Sequence, residues 1–338
     1  MRGNRKAALG EWLADQAGFA GPFELTPLAG GNSNETLLLA NDEERLVMRR
    51  PPGAHIDPSA HDFGREARVL AALGETPVPA PRFRGLCTEP TVPEAPFLLM
   101  EWSDGVPLKE ELPAAWDDAG AALRAVGGEA VDALADLHGV DWRAVGLEGL
   151  GRPEGFLGRQ VPRWRSQYER HRVRELADFE VVAGWLEENL PADGEPGILH
   201  GDFHVDNCLY RVEGGPRLNA VIDWELATIG DPLLDVGLFL AFWGSERSLP
   251  LAMPAVQAVS RLDGAPSRAE LAARYESRSG RSLERLDWYL AFAFWKLAAI
   301  VEGAYAQHRA GTLDSAYAAA LEHDVPALLR EARAFAGI

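Results

Sequence analysis

The sequence predicts an α+β chain in which a small antiparallel sheet comes first and a larger, mostly helical part follows. Three observations carry this. Alternating or apolar segments separated by Gly-, Asn- and Pro-rich turns recur as far as Glu101. From Trp102-Ser103-Asp104-Gly105-Val106-Pro107 onward the apolar spacing becomes helical. Late in the chain two short apolar runs, Ile198-Leu199 and Leu218 to Ile222, lead into carboxylates.

Residues 7–18 carry Leu9, Trp12, Leu13 and Gln16 at helical spacing and predict a leading amphipathic helix. Phe23 to Leu28, Glu35 to Ala40 and Arg45 to Arg50 then read as a three-stranded antiparallel meander. The first turn of that meander contains Gly30-Gly31-Asn32-Ser33-Asn34. Such a loop lets backbone N–H groups approach phosphate oxygens, and equally forms a plain hairpin. The P-loop pattern GxxxxGK[ST] is absent, as is a GxGxxG that opens a helix.

Strand alternation puts Val47 and Arg49 on one face and Met48 and Arg50 on the other. If Val47 roofs a nucleotide base, Arg49 reaches the phosphates from the same side. Asp57-Pro58-Ser59 caps a helix through Phe63, Glu66, Val69, Leu70 and Leu73. Glu66 lies near its apolar face, where a carboxylate needs a partner, and Arg49 is the candidate. Pro77-Val78-Pro79-Ala80-Pro81 is a stiff connector to strands Arg82 to Cys87 and Phe97 to Glu101, which complete five strands with one helix packed on them. The composition shift at Trp102 divides the chain into residues 1–102 and 103–338.

Beyond that boundary, helical patterns cover residues 114–138, 153–172 and 173–190. The strand pair around Asp202 follows, then a helix over residues 233–243 capped by Asp231-Pro232. Further helices are predicted at about residues 267–277, 283–309 and 315–335. The longest apolar stretch, Trp288 to Val301, contains Lys296 and is too short for a membrane span.

With 338 residues, 47% of them hydrophobic, the chain can bury a substantial core. Cys87 and Cys208 stand far apart outside any metal-ligand spacing, which suits a reducing compartment, and no export signal precedes the first helix. A cytoplasmic location is expected. The net charge of −18 argues against a nucleic-acid partner, because phosphate backbones select basic surfaces. No membrane or protein partner is implied either, and a small-molecule substrate is expected.

The richest stretch is His200-Gly201-Asp202-Phe203-His204-Val205-Asp206-Asn207, followed by Ile222-Asp223-Trp224-Glu225. His-x-Asp, four residues, Asn, then a strand that ends in Asp is the layout of a kinase catalytic loop. Asp202 is the candidate general base for a hydroxyl. Asn207 offers a neutral oxygen and Asp223 a carboxylate, the hard ligands that Mg²⁺ prefers. His200 reads as a buried, backbone-bonded support, Asp206 as a loop hydrogen-bonder, Asp231 as a helix cap and Asp235 as a brace for the loop. The role of His204 stays open.

These motifs, with Gly230-Asp231-Pro232-Leu233-Leu234-Asp235, resemble the aminoglycoside phosphotransferase and choline kinase superfamily of small-molecule kinases. Met48-Arg49-Arg50-Pro51-Pro52, Arg65-Glu66, Leu134-Ala135-Asp136-Leu137-His138, Arg159-Gln160-Val161-Pro162-Arg163-Trp164 and Glu302-Gly303-Ala304-Tyr305 resemble one subgroup of it. That subgroup is related to the kinase-like domain fused to some acyl-CoA dehydrogenases. The resemblance runs from about residue 22 to residue 335. It implies a two-lobed protein-kinase-like fold, ATP or GTP with Mg²⁺, and transfer of the γ-phosphoryl to a hydroxyl.

On that expectation residues 1–102 bind nucleotide through Gly31, Asn32, Ser33, Asn34, Val47, Arg49, Glu66 and the hinge residues Met100, Glu101 and Trp102. Residues 103–338 supply catalysis and acceptor binding, with His204, Arg159, Arg163 and Trp164 as acceptor-side candidates. Two departures stand out. The superfamily usually has Lys where Arg49 stands, and Trp224 replaces the Phe of Asp-Phe-Gly with no Ala-Pro-Glu after it, which disfavours protein substrates. The acceptor is expected to be either a cationic antibiotic or amino-alcohol, or a hydroxylated acid or its acyl-CoA ester. For the second, Arg159, Arg163 and Arg165 beside Trp164 would supply a basic pocket, although the same three arginines also read as a solvated face.

Overall fold

The structure is a computed structural model that describes residues 2–28, 34–51, 63–244, 253 and 256–338. The leading helix α1 (Arg2–Ala17) precedes β1 (Glu24–Pro27), β2 (Glu35–Ala40) and β3 (Arg45–Arg50). Next come α2 (Phe63–Leu73), β4 (Phe83–Cys87) and β5 (Phe97–Glu101). The five strands form one antiparallel sheet in the order β1-β2-β3-β5-β4, as the alternation predicts. The predicted cap Asp57-Pro58-Ser59 lies outside the described residues.

The sheet has an apolar layer on each face. Leu37, Leu39, Leu46, Met48, Phe97 and Leu99 pack with Leu9, Trp12 and Leu13 of α1. The Trp12 ring sits 5.0 Å from Phe97, edge on. The leading helix therefore covers the sheet too, so two helices pack on it rather than one. Leu98 and Met100 face the opposite way, into the core that α2 shares with the helical part, and Val47 packs against that core.

From there the chain continues with β6 (Val106–Pro107), α3 (Ala119–Gly139), α4 (Gln160–His171), α5 (Ala177–Glu188), β7 (Gly197–Leu199), β8 (Cys208–Arg211), β9 (Arg217–Val221) and β10 (Thr228–Gly230). It ends with α6 (Leu233–Phe242), α7 (Arg268–Ser279), α8 (Leu286–Arg309) and α9 (Ala316–Ala336). Three helices start later than the periodicity predicts, each for a local reason. Asp118 accepts the Ala121 N–H at 2.8 Å and so sets the start of α3 after the predicted residue 114. Gly155, at φ +60°, interrupts the predicted helix from residue 153, and a 3₁₀ turn (Leu157–Arg159) leads into α4. Before α5 the chain is pinned by Arg174, which donates to Glu302 Oε2 and to the Leu321 carbonyl, both at 3.0 Å.

The strands around the catalytic motif pair differently from the expected single pair. β7 is antiparallel to β10, and β9 to β8, which also pairs with β6. The segment between Leu199 and Cys208 is thereby suspended between two small sheets. Helix α8 is buried along most of its length, as the run from Trp288 to Val301 predicts. No helix among the described residues is long and apolar enough to cross a membrane.

Candidate active site

Helix α6 builds the floor of the site. Asp235, one turn in, accepts the His200 N–H at 2.6 Å and the Gly201 N–H at 2.9 Å, so one buried carboxylate fixes two consecutive peptides. Asp231 accepts the Leu233 N–H at 2.9 Å and the Tyr289 hydroxyl at 2.8 Å, and so caps the helix as expected. Gly201 lies at φ +86°, and a Cβ there would meet the Leu226 carbonyl oxygen at 2.6 Å. Only glycine makes this turn without displacing backbone.

His200 is sealed from solvent, and burial keeps its pKa low. Its Nε2 lies 2.9 Å from the Ile222 carbonyl and its Nδ1 3.3 Å from the Asp202 amide nitrogen. A neutral ring protonated on Nε2 satisfies both contacts, the support role expected of it.

Asn207 Nδ2 donates to the Asp202 carbonyl at 2.9 Å, and the Asn207 carbonyl accepts the Ile222 N–H at 2.9 Å. These two bonds bring Asp202, Asn207 and Asp223 together. His204 Nε2 lies 3.4 Å from Asp202 Oδ2 and 3.2 Å from Asn207 Nδ2. Burial alone would raise the Asp202 carboxyl, but the hydrogen bond and charge of His204 outweigh it and hold it at about 2. His204 is shifted the other way: burial opposes its charge, and Asp202 raises its pKa in spite of that. Asp206 departs from expectation. Among the described residues its Oδ1 is buried without a hydrogen-bond partner, and burial raises its pKa.

From the sheet side, Arg49 reaches the Asp223 side of this group. It donates to Glu66 Oε1 at 2.5 Å, to Asp223 Oδ1 at 2.9 Å and to Glu225 Oε2 at 3.2 Å. The Arg49–Glu66 pair is the one strand alternation and helix facing predict. Burial opposes the charge of Arg49, yet the three carboxylates raise its pKa overall. Glu66 is pushed up to about 7 by burial, which outweighs the arginine, and among the described residues its Oε2 has no hydrogen-bond partner. Asp223 itself adopts φ +70°, a left-handed conformation that aspartate tolerates better than most residues.

Asn34, buried, donates from Nδ2 to Glu225 Oε2 at 3.0 Å. Gly31, Asn32 and Ser33 lie outside the described residues. Val47 pairs with Met100 across β3 and β5, which places these nucleotide-side candidates side by side. Glu101 Oε1 lies 3.6 Å from Arg84. The Trp102 indole donates to Asp104 Oδ1 at 2.8 Å and lies under the Arg45 guanidinium.

Of the two readings of Arg159, Arg163 and Arg165, a single basic pocket is not what the three arginines form. Arg159 sits in the 3₁₀ turn, where its terminal nitrogens donate to the Arg152 and Glu154 carbonyls and staple that turn. Arg165 pairs with Glu187 at 2.8 Å and Glu180 at 3.2 Å. Arg163 does stay with Trp164, its guanidinium 5.0 Å from the ring. On the same ring, at 5.1 Å, lies Lys296 Nζ from α8, which also reaches the Gly201 carbonyl at 3.4 Å.

Comparison with known proteins matches residues 24–289 to the phosphotransferase enzyme family. The chain belongs to this family. Mouse acyl-CoA dehydrogenase family member 10 is 33% identical over 306 residues, which are 88% of this chain and 28% of that protein. The chain thus spans well under half of that relative's length. A structure from Ralstonia eutropha JMP134, provisionally named an aminoglycoside phosphotransferase, superposes with a TM-score of 0.84 at 31% identity over 98% of both chains. A thermostable mutant of an aminoglycoside phosphotransferase, solved with ADP and hygromycin B, shares the fold with a TM-score of 0.60 at 17% identity. That match covers 96% of this chain and 98% of the other. The family and the kinase-like fold implied by the catalytic motif are both borne out.

Within this candidate site, sequence reasoning missed two contributors. Glu225 closes on Arg49 and Asn34, and its signal was its place two residues after Asp223 in the motif. Lys296 was legible only as a single charge inside an apolar helix. Arg65, quoted for the resemblance alone, donates to the Leu150 carbonyl at 2.7 Å and the Ala227 carbonyl at 3.0 Å, and so docks α2 onto the Asp-Trp-Glu segment.

Proposed function

We propose that this phosphotransferase family member is a small-molecule kinase that moves the γ-phosphoryl of ATP or GTP onto an acceptor hydroxyl. One observation carries the reading. A carboxylate held ionised, an amide and a second carboxylate converge at the mouth of a cleft whose other wall presents an arginine braced by a buried glutamate.

In this reading Asp202 steers the acceptor hydroxyl and takes its proton as the acceptor oxygen bonds to the γ-phosphorus and the bond to the β–γ bridging oxygen breaks. His204 keeps Asp202 ionised for that role. Arg49, oriented by Glu66, exchanges its carboxylate partners for phosphate oxygens and holds them with a planar pair of donors. Val47, Met100, Glu101 and Trp102 line the base side, and Asn34 stands at the end of the glycine turn.

The donor set suits a magnesium ion. Asp223 and the oxygen of Asn207, whose nitrogen is already engaged by Asp202, are hard oxygen ligands, with Glu225 adjacent. When bound, Mg²⁺ would supply neutralisation of phosphate charge. Residues 1–102 form the nucleotide side in this assignment and residues 103–338 the catalytic and acceptor side.

Arg163, seated on the Trp164 ring, makes the acceptor side locally cationic. That favours a hydroxylated acid or its acyl-CoA ester over a polycationic antibiotic. The decisive measurement is ATP consumption with Mg²⁺ across hydroxyacids, hydroxyacyl-CoA esters, amino-alcohols, aminoglycosides and macrolides, for the wild type and Asp202→Asn. The expected result is turnover with a hydroxylated acid or ester that Asp202→Asn lowers by at least about 10²-fold. Full activity in Asp202→Asn overturns the assignment, and an inactive wild type leaves a nucleotide-binding sensor as the better reading.

A further inference from the structure

Among the described residues a half-buried cation beside the catalytic turn is left over after these roles are assigned. Lys296 lies in α8, in a stretch that is otherwise apolar and packed against the core. An ammonium has three N–H donors, and taking it out of water is costly unless they are used. Among the described residues Lys296 donates to one acceptor, the Gly201 carbonyl, at 3.4 Å. Its other neighbour is the face of Trp164, 5.1 Å away, an arrangement that attracts a cation to the ring. The charges it feels are Asp202, Asp235 and Arg163.

The position of this contact matters more than its length. Gly201 is the peptide on which the catalytic turn pivots, and Asp235 already holds its N–H from α6. The carbonyl on the far side of the same residue points at α8. The peptide groups flanking the left-handed glycine are thus gripped from two packed helices, a carboxylate on one side and an ammonium on the other. The residue that follows is Asp202. A small error in where that carboxylate points is amplified at the reacting centre, since a displacement of about 1 Å can cost about 10²-fold in rate.

We propose that Lys296 is a positioning residue of the catalytic loop: from α8, and seated on Trp164, it holds the Gly201 carbonyl so that Asp202 is aimed at the acceptor hydroxyl. Its catalytic consequence rests on the kinase reading above, whereas its grip on the loop does not. Lys296→Met keeps the length and apolar stem of the side chain and removes its donors, and Lys296→Arg keeps a cation. Two measurements test the pair of variants against wild type: steady-state ATP turnover, and amide hydrogen exchange over residues 200–207.

The expected result is faster exchange in Lys296→Met and a kcat lowered by about 10²-fold, with KM for ATP within about twofold. Lys296→Arg should recover at least part of both effects. A raised KM for the acceptor at unchanged kcat would make Lys296 an acceptor-binding group and overturn the proposal. Unchanged exchange in Lys296→Met overturns it whether or not the wild type consumes ATP. An inactive wild type with altered exchange in Lys296→Met defeats the kinase reading and leaves the grip on the loop supported. Should Lys296→Met not fold, Lys296→Gln with Trp164→Phe carries the same two readouts.

Discussion

Arg49 and Glu66 meet at 2.5 Å where β3 faces α2, and their side chains are 10% and 1% exposed. The arginine is shared with Asp223 and Glu225 of the opposite wall, whereas Glu66 is committed to the arginine alone on its Oε1 side. Removing one partner leaves an uncompensated charge in the interior, a change that costs about 3–5 kcal/mol. Arg49→Met should therefore lower unfolding stability by that order, and the double variant Arg49→Met/Glu66→Gln should regain much of it. Urea unfolding of the four proteins in the cycle measures the coupling. A double variant as unstable as the sum of its parts would contradict the pairing.

Asp235→Ala strips the acceptor from two backbone N–H groups at once. Each buried donor left unmade costs about 1–3 kcal/mol. We expect a destabilised chain whose faster amide exchange is concentrated at His200 and Gly201.

Gly201→Ala should be worse than an ordinary glycine substitution. The left-handed conformation costs an L-residue roughly 1–2 kcal/mol, and the new methyl would also meet backbone at Leu226. Thermal unfolding should show the loss, and turnover should fall through the displaced Asp202.

His204→Gln gives a pH test with a definite sign. Burial pushes the Asp202 carboxyl up and His204 brings it down to about 2, so Asp202 stays ionised throughout the ordinary working range of the wild type. Without the histidine its pKa rises, and the acid limb of the kcat profile should move to higher pH. Stability follows the same linkage. The folded pKa lies below the unfolded value of about 3.9, so this contribution is complete above that value and is lost as pH falls toward 2. His204→Gln should shrink that acid-sensitive contribution, and unfolding measured across the acidic range reports it.

Arg159 and Arg163 should separate in kinetics despite sharing the motif. Arg159→Ala loosens its own turn and should leave the acceptor KM near wild type. Arg163→Ala, which removes the cation over the Trp164 ring, should raise it severalfold.

Much of the site was readable because its geometry is local. Asp202, Asn207 and Asp223 lie within two short strands and their turns, and the pairing of Arg49 with Glu66 follows from a two-residue alternation meeting a helical face. The strand partners of β7 were not readable, since Thr228–Gly230 is too short to carry a pattern of its own. Lys296 and Gly201 stand 95 residues apart, and only the packing of α8 against the turn at Gly201 brings them together. The contacts of Arg159 were hidden for the opposite reason: its nearest acceptors are the carbonyls of its own turn, which residue type and spacing do not reveal.

The brief strand β6 has a consequence for how this protein can change. By pairing Val106 with Tyr210 and Pro107 with Leu209, it sews the connector that leaves the five-stranded sheet to the hairpin carrying Asn207. Asn219 adds a stitch to the Asp104 carbonyl at 2.7 Å. An insertion of one residue between Trp102 and Val106 would slip that seam and turn alternate side chains to the wrong face. Variation in the connector from Trp102 to Pro107 is therefore confined to substitutions, and its compensating changes should surface in the hairpin from Cys208 to Val221.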